Sequence, residues 1–512
     1  MRVQDSLVLI AALAPSVSAD WQFRSRPDLT PPRLNITVSA DPALVEKGLI
    51  FVAPYPGFTP TSHGPIQPAP YLFRDDGELV WSGIGHIAGW AAKFRPDTVD
   101  GSQVLRAFQG QMSAQLGIMH GHHLILNEKY ETVKSVQSRS PQLISGHEFR
   151  VINGKSALVE VPFTKPFDLS RWELDIETGQ VLFEWEALDH VDPKYHLDRA
   201  IESGRSSSDA WDYFHLNSVD KDDEGNYLVS ARNYAALFKL SGATGKVIWQ
   251  LGGLHGGSSF EIDPAARFAY QHDARFLNRS SDGAIEYLSL FDNSAHSPTI
   301  KINPFSRGRI LQLNHTDGTV KAAATYPAPD QLSAQTQGNT QVLPNSNVFV
   351  NWGQAGAITE FAADGTVLFH AYLDSEPGGN SVQSYRGFKL PWTGRPIEEP
   401  AVVALGSEAS DDVDIYVSWN GDTETTLWRF YVEELRGDVA RKRFLGDSKR
   451  HGFETHIKVK KPSSGEDYRI VAEAIDGNKH VLARSGSVAV TFGKRPLSEG
   501  QSSRTFPMTE EL

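Results

Sequence analysis

The chain alternates short apolar runs with turns, and it does so in two different ways. From about residue 46 to 375, runs of Val, Ile, Leu, Phe and Trp are punctuated by Gly, Asp and Asn, and long helical periodicity is scarce. Leu72–Trp81, Leu174–Trp185, Lys239–Trp249 and Glu360–Phe369 each carry an apolar run into Asp-Gly or Thr-Gly and out into a second run that ends in an aromatic residue. That is the signal of a β-hairpin. After Pro391–Pro396 and Glu398–Pro400 the text changes. Asp414–Trp419, Leu427–Val432, His456–Val459 and Tyr468–Ala474 alternate apolar and polar residues one by one, the pattern of strands with one face buried. The reading is all-β. Many similar hairpins predict a β-propeller of five or six blades, since radial repetition buries both faces of such units. The later segment predicts a small Ig- or fibronectin-like β-sandwich.

Histidines mark the first region. His147 opens His-Glu-Phe-Arg-Val-Ile, His215 opens His-Leu-Asn-Ser-Val, and His272 opens His-Asp-Ala-Arg-Phe-Leu. Each heads an apolar run after a turn, and in a radial array equivalent positions face one axis, so three imidazoles are expected to meet there. Arg232 ends the strand that follows His215 and suits an anionic group, because guanidinium matches an oxyanion in shape and charge. Gln271, Asn217 and Asn293 flank these residues and are candidates for substrate contact. His120-Gly-His-His123 has the residue type for a metal, but its spacing is short, cysteine is absent and alternate strand residues face opposite ways, so no metal site is expected. There is no Gly-x-Ser-x-Gly elbow, and the sequence does not single out two carboxylates as a pair for glycoside chemistry. Histidine and arginine without a cofactor point to transfer of an anionic group through a histidine adduct.

Composition narrows the setting. A net charge of -13 over 512 residues argues against nucleic acid as a partner. Residues 1–19 read as a secretory signal, with Arg2, an apolar stretch and Val17-Ser18-Ala19 before Asp20. Asn35, Asn278 and Asn314 begin glycosylation sequons, which fits export. No later stretch approaches a membrane span, so a secreted, extracellular protein is expected. The expected domains are the signal (1–19), the propeller (20–395), the sandwich (396–494) and a disordered tail (495–512). Lys194–Ala210 is polar and reads as a loop over one face, either a lid or a surface insertion.

An ordered series of motifs resembles the arylsulfotransferase family, and more closely its fungal-type secreted branch. The series runs through Gly48–Tyr55, Asp76–Gly83, Gly121–Leu126, Asp212–Val219, Tyr227–Asn233, Trp249–Gly253, Gln271–Arg275, Phe291–Asn293, Gln337–Asn345 and Phe388–Pro396. The resemblance implies a six-bladed propeller that moves a sulfuryl group from an aryl sulfate to a phenol, without the nucleotide sulfate donor. It further implies that His272 becomes transiently sulfated and that His215 and Arg232 are essential, with His147 as the remaining histidine. Asp292-Asn-Ser departs from the usual Asp-Asn-Gly, which puts a turn in question. The competing expectation is an idle or repurposed propeller that binds a small molecule, glycan or protein.

Overall fold

The computed structural model describes residues 20–58, 64–87, 89–113, 118–137, 143–162, 169–193, 212–373, 382–408, 410–436, 439–461 and 468–492. The expected signal, the polar segment 194–210 and the tail 495–512 lie outside the described residues. The described chain is all-β, with strands in antiparallel meanders and only short 3-10 turns between them. No helix among the described residues is long and apolar enough to cross a membrane.

Residues 49–390 build a series of four-stranded meanders, a β-propeller-like pattern. Their first strands are Trp90–Val99, Phe149–Ile152, Leu216–Lys221, His272–Arg279 and Asn339–Val342. Each runs on through three further strands, and all four expected hairpins fall between the third and fourth strands of a sheet. The remaining sheet joins the two ends of this region. Val382–Leu390 pairs antiparallel with Leu49–Pro56, from Leu49 opposite Leu390 to Pro56 opposite Val382. The hairpin text stops near residue 375, so this closing strand is a tertiary feature.

Burial explains the two textures of the sequence. Tyr227–Ala231 and Ala236–Leu240 are buried at every position, because neighbouring sheets cover both faces. Leu228 and Leu237 of that sheet, for example, pack with Leu288, Leu290, Leu311 and Leu313 of the next. By contrast, Ala401–Gly406 alternates buried and half-buried residues. It belongs to a sheet ordered Glu454–Lys460, Asp412–Ser418, Ala401–Gly406, Thr491–Phe492. A second sheet, centred on Leu427–Arg436 and Tyr468–Ile475, shares its apolar layer of Val413, Ile415, Trp428, Phe430 and Ala472.

The two regions are joined by hydrogen bonds rather than a bare linker. Asn420 exchanges two with the main chain of Ser82, Nδ2 donating at 3.0 Å and Oδ1 accepting at 2.8 Å. Tyr130 stacks on Trp81 at 4.8 Å and donates to the Gly421 carbonyl at 2.7 Å. The N-terminal segment contributes Phe23, 4.4 Å from Phe453, and Ser25, whose Oγ donates to Glu454 at 2.6 Å.

Candidate functional site

The three strand-heading histidines occupy matching places. His147 precedes Phe149–Ile152, His215 precedes Leu216–Lys221, and His272 opens His272–Arg279, the first strands of three consecutive sheets. The rings of His147 and His215 stand 5.1 Å apart, nearly perpendicular. Arg232 lies just beyond Tyr227–Ala231, and its backbone N–H donates to the His215 carbonyl at 3.0 Å, which ties the two neighbours together. The charges of Arg232 and His215 both act on His272.

His272 is buried, and its protonation state is set by its partners. Nδ1 lies 2.7 Å from Asn293 Oδ1. The Asn293 amide cannot turn around, because Nδ2 donates to the Ala334 and Gln337 carbonyls at 2.9 and 3.0 Å. Asn293 therefore presents only an acceptor, and His272 must carry its proton on Nδ1. Burial, followed by the charges of Arg386 and Arg232, holds the imidazole well below its ordinary range, with the Asn293 bond opposing. The ring is neutral, and its Nε2 lone pair accepts only a long bond of 3.2 Å from the Gln337 N–H.

The other two histidines have the opposite surroundings. His215 takes Asp212 on Nδ1, and Asp212 also accepts the His215 backbone N–H at 2.9 Å. Burial opposes ionisation of Asp212, but the His215 charge and hydrogen bonds outweigh it and lower the carboxyl. His147 Nδ1 lies 2.8 Å from both Glu160 Oε2 and Ser145 Oγ. A carboxylate only accepts, so in both rings Nδ1 is the donor and Nε2 is the nitrogen outside these bonds.

Arg232 is 5% exposed, and burial brings it down to about 10, so it stays cationic. It donates to Asn233 Oδ1 at 2.8 Å and to the Gln335 carbonyl at 3.0 Å, while its Nε has no partner. Gln271 and Asn217 are wholly buried. Gln271 Nε2 serves Ser230 Oγ and the Ala231 and Ala236 carbonyls, and Asn217 Nδ2 serves the Gln271 carbonyl at 2.7 Å. Their donors thus bind one sheet to the next. The histidine cluster of 120–123 does not share a face: His120 is exposed, His122 half-buried and His123 buried. His123 Nε2 lies 3.2 Å from the Ser145 carbonyl, and burial brings its ring down to about 3, so it donates there as a neutral ring and supports the serine beside His147.

Sequence reasoning missed Arg386 and Tyr385 on the closing strand. Arg386 is wholly buried, donates to the Tyr385 carbonyl at 2.9 Å and the Asn217 carbonyl at 3.2 Å, and contacts Asp273 at 3.3 Å. Tyr385 has its ring 5.7 Å from His147, and burial pushes its hydroxyl upward, so it stays protonated. No local signal marks either residue, because only ring closure brings them in. Glu160 and Asp212 were missed as well, since their roles depend on strands and turns that meet at the site.

Backbone strain gathers here as well. His215, Tyr270, Asp273, Ser294 and Gln337 all have left-handed φ values of 40°, 56°, 55°, 57° and 67°. Such residues cost ~1–3 kcal/mol each and persist where the surroundings enforce them. Ser294 answers the question raised by Asp292-Asn-Ser: the left-handed turn is kept, with serine where glycine would be free of strain. Gly338 next to Gln337 is required for space, since a Cβ there would lie 2.4 Å from Phe291.

A family model described as Arylsulfotransferase (ASST) matches residues 95–373. No curated protein matches in sequence. Among solved structures, the chain is similar to the GH43 protein BlXynB from Bacillus licheniformis, at 8% identity and a TM-score of 0.27 over 77% of this chain and 89% of that one. It is also similar to the Vibrio cholerae biofilm matrix protein Bap1, at 12% identity and a TM-score of 0.28 over 92% and 68%. A third likeness is to virginiamycin B lyase from Staphylococcus aureus, at 10% identity and a TM-score of 0.18 over 53% and 69%. These likenesses are too distant to bear on function.

Proposed function

The chain belongs to the arylsulfotransferase family, and we propose that it transfers a sulfuryl group from an aryl sulfate to a phenol through a sulfated His272. The observation that carries this reading is the neutral, Nδ1-protonated His272, on which the charges of Arg386 and Arg232 both act. A nucleophile needs a lone pair, and a sulfate ester needs cations around its oxygens. Both are present at one ring.

In the first half-reaction, Nε2 attacks sulfur, the bond from sulfur to the aryl oxygen breaks, and the phenolate departs with its electron pair. His215 supplies a proton to that oxygen. Arg232 and His147 stabilise the equatorial oxygens of the sulfuryl group in flight. Sulfation at Nε2 makes the ring cationic, and Asn293 Oδ1 already accepts its remaining N–H. In the second half-reaction His215 takes the proton of the incoming phenol, whose oxygen captures the sulfuryl group and frees Nε2. The Gln337 N–H must release Nε2 before attack. That same bond is the observation that favours a second reading, an idle or repurposed binding protein, because it occupies the lone pair the chemistry requires.

We read the scaffold as a six-bladed propeller closed by Val382–Leu390 on Leu49–Pro56, and residues 401–492 as an Ig-like sandwich. Secretion through residues 1–19 completes the proposal. Asn278 is exposed and open to glycosylation, whereas Asn35 and Asn314 are half-buried and Asn314 is engaged in its own turn.

Single-turnover labelling with p-nitrophenyl sulfate tests the transfer. The expected result is a burst of nitrophenol and an intact-mass gain of one sulfuryl group for hydrogen, discharged by phenol and absent in His272→Ala. No burst and no adduct across several aryl sulfates would leave the binding reading.

A further inference from the structure

One residue removed from the histidines, behind Gln337 and Tyr385, lies a hollow of about 320 Å³ that the mechanism has not used. We propose that it receives the aromatic ring of an uncharged phenol, so that the acceptor is selected by planar apolar surface. The inference deepens the transfer reading and rests on it for the word acceptor; the binding it predicts stands apart from catalysis.

The hollow is formed where Leu49–Pro56 ends and Trp90–Val99 begins. Tyr55, Phe58 and Trp90 supply rings, and Pro54, Pro56 and Pro68 supply apolar rims. Tyr55 meets Trp90 edge-on at 5.1 Å and Phe58 at 5.7 Å, a surround suited to a flat guest. None of the described residues lining it is charged. Its size sits at the small end of the ~300–1,000 Å³ of small-molecule sites.

Two paths of contact run from its wall to the site, one to His272 and one to His147. Tyr55 donates to Gln337 Oε1 at 2.8 Å, and the Gln337 backbone N–H reaches His272 Nε2. Trp90 stands 6.2 Å from Tyr385, which in turn faces His147. Phe58 is 47% exposed at the rim, where it shows water an apolar surface that a guest would cover.

The surroundings also decide which guests are refused. A carboxylated phenol would bury its charge against apolar walls with no partner. A neutral ring with one hydroxyl avoids that penalty.

The test is isothermal titration of 2-naphthol into the full chain, the His272→Ala variant, Phe58→Ala and Trp90→Ala, with 4-hydroxybenzoate as the charged comparison. The expected result is one-to-one binding by the parent and by His272→Ala, weakened about tenfold or more in Phe58→Ala and Trp90→Ala. The benzoate should bind at least about tenfold more weakly than naphthol. Phe58 is a surface residue, so its variant guards against a Trp90→Ala chain that fails to fold. Equal binding of naphthol by the parent and Phe58→Ala, or equal binding of the charged phenol, overturns the proposal. Naphthol binding that persists where p-nitrophenyl sulfate leaves no label would keep the hollow and retire the transfer.

Discussion

Two polar layers are built from the same inner strands, and they differ in how completely they are paired. Beneath the histidines, Lys93 meets Glu148 at 2.9 Å, and Arg275 meets Glu148 at 2.7 Å and Asp273 at 2.6 Å. Arg386 joins at Asp273, and Glu148 Oε2 also accepts the Val219 N–H at 3.1 Å. In the histidine layer, by contrast, Arg232 Nε is unpartnered, and the carboxylates of Glu160 and Asp212 engage only the Nδ1 atoms of His147 and His215. Burial opposes ionisation of Glu148, yet Arg275 and Lys93 outweigh it and hold the carboxyl down to about 2; Asp273 is lowered by the same cations and Arg386. The paired layer fixes where the strands sit. The unpaired layer can then present reactive atoms without their neighbours collapsing onto them.

Breaking the paired layer should have the largest effect. Glu148→Gln leaves Lys93 and Arg275 short of a counter-charge, and chemical denaturation should show a loss of about 3–5 kcal/mol. The pH dependence follows in sign. A carboxyl depressed in the fold contributes stability that is complete above its unfolded value, near 4.5 for Glu148, and lost as pH falls through about 2. Acid melting of the parent should therefore steepen across that window, and Glu148→Gln should flatten it. Identical acid profiles would deny the layer its role.

Disturbing the histidine layer should be milder for folding and severe for chemistry. Asn293→Leu removes the acceptor that holds the His272 proton on Nδ1, so the labelling rate should fall roughly 10²-fold or more. Asn293→Asp retains an acceptor and should lose less. If both variants label equally, the tautomer is not set by residue 293. The smallest effect is expected at Ser294→Gly, which relieves a left-handed serine and should raise stability by about 1 kcal/mol in a melt, with labelling unchanged.

Much of this was legible in the chain because it is local. Turn chemistry and strand alternation depend on neighbouring residues, so the four hairpins, the change of texture after Pro400 and the strand-heading histidines could all be read directly. The same holds for Arg232, which sits one residue beyond a strand whose first partner follows His215. What the chain could not display are contacts between residues far apart along it. Arg386 meets Asp273 and Tyr55 meets Gln337 only once Val382–Leu390 has closed the series of sheets on Leu49–Pro56, whereas Asn293 reaches His272 across neighbouring strands of one sheet. Sequence determined which side chains head the inner strands, through patterns a few residues long. Tertiary structure alone decided which of their nitrogens carry protons, because that depends on burial and on charges delivered from other sheets.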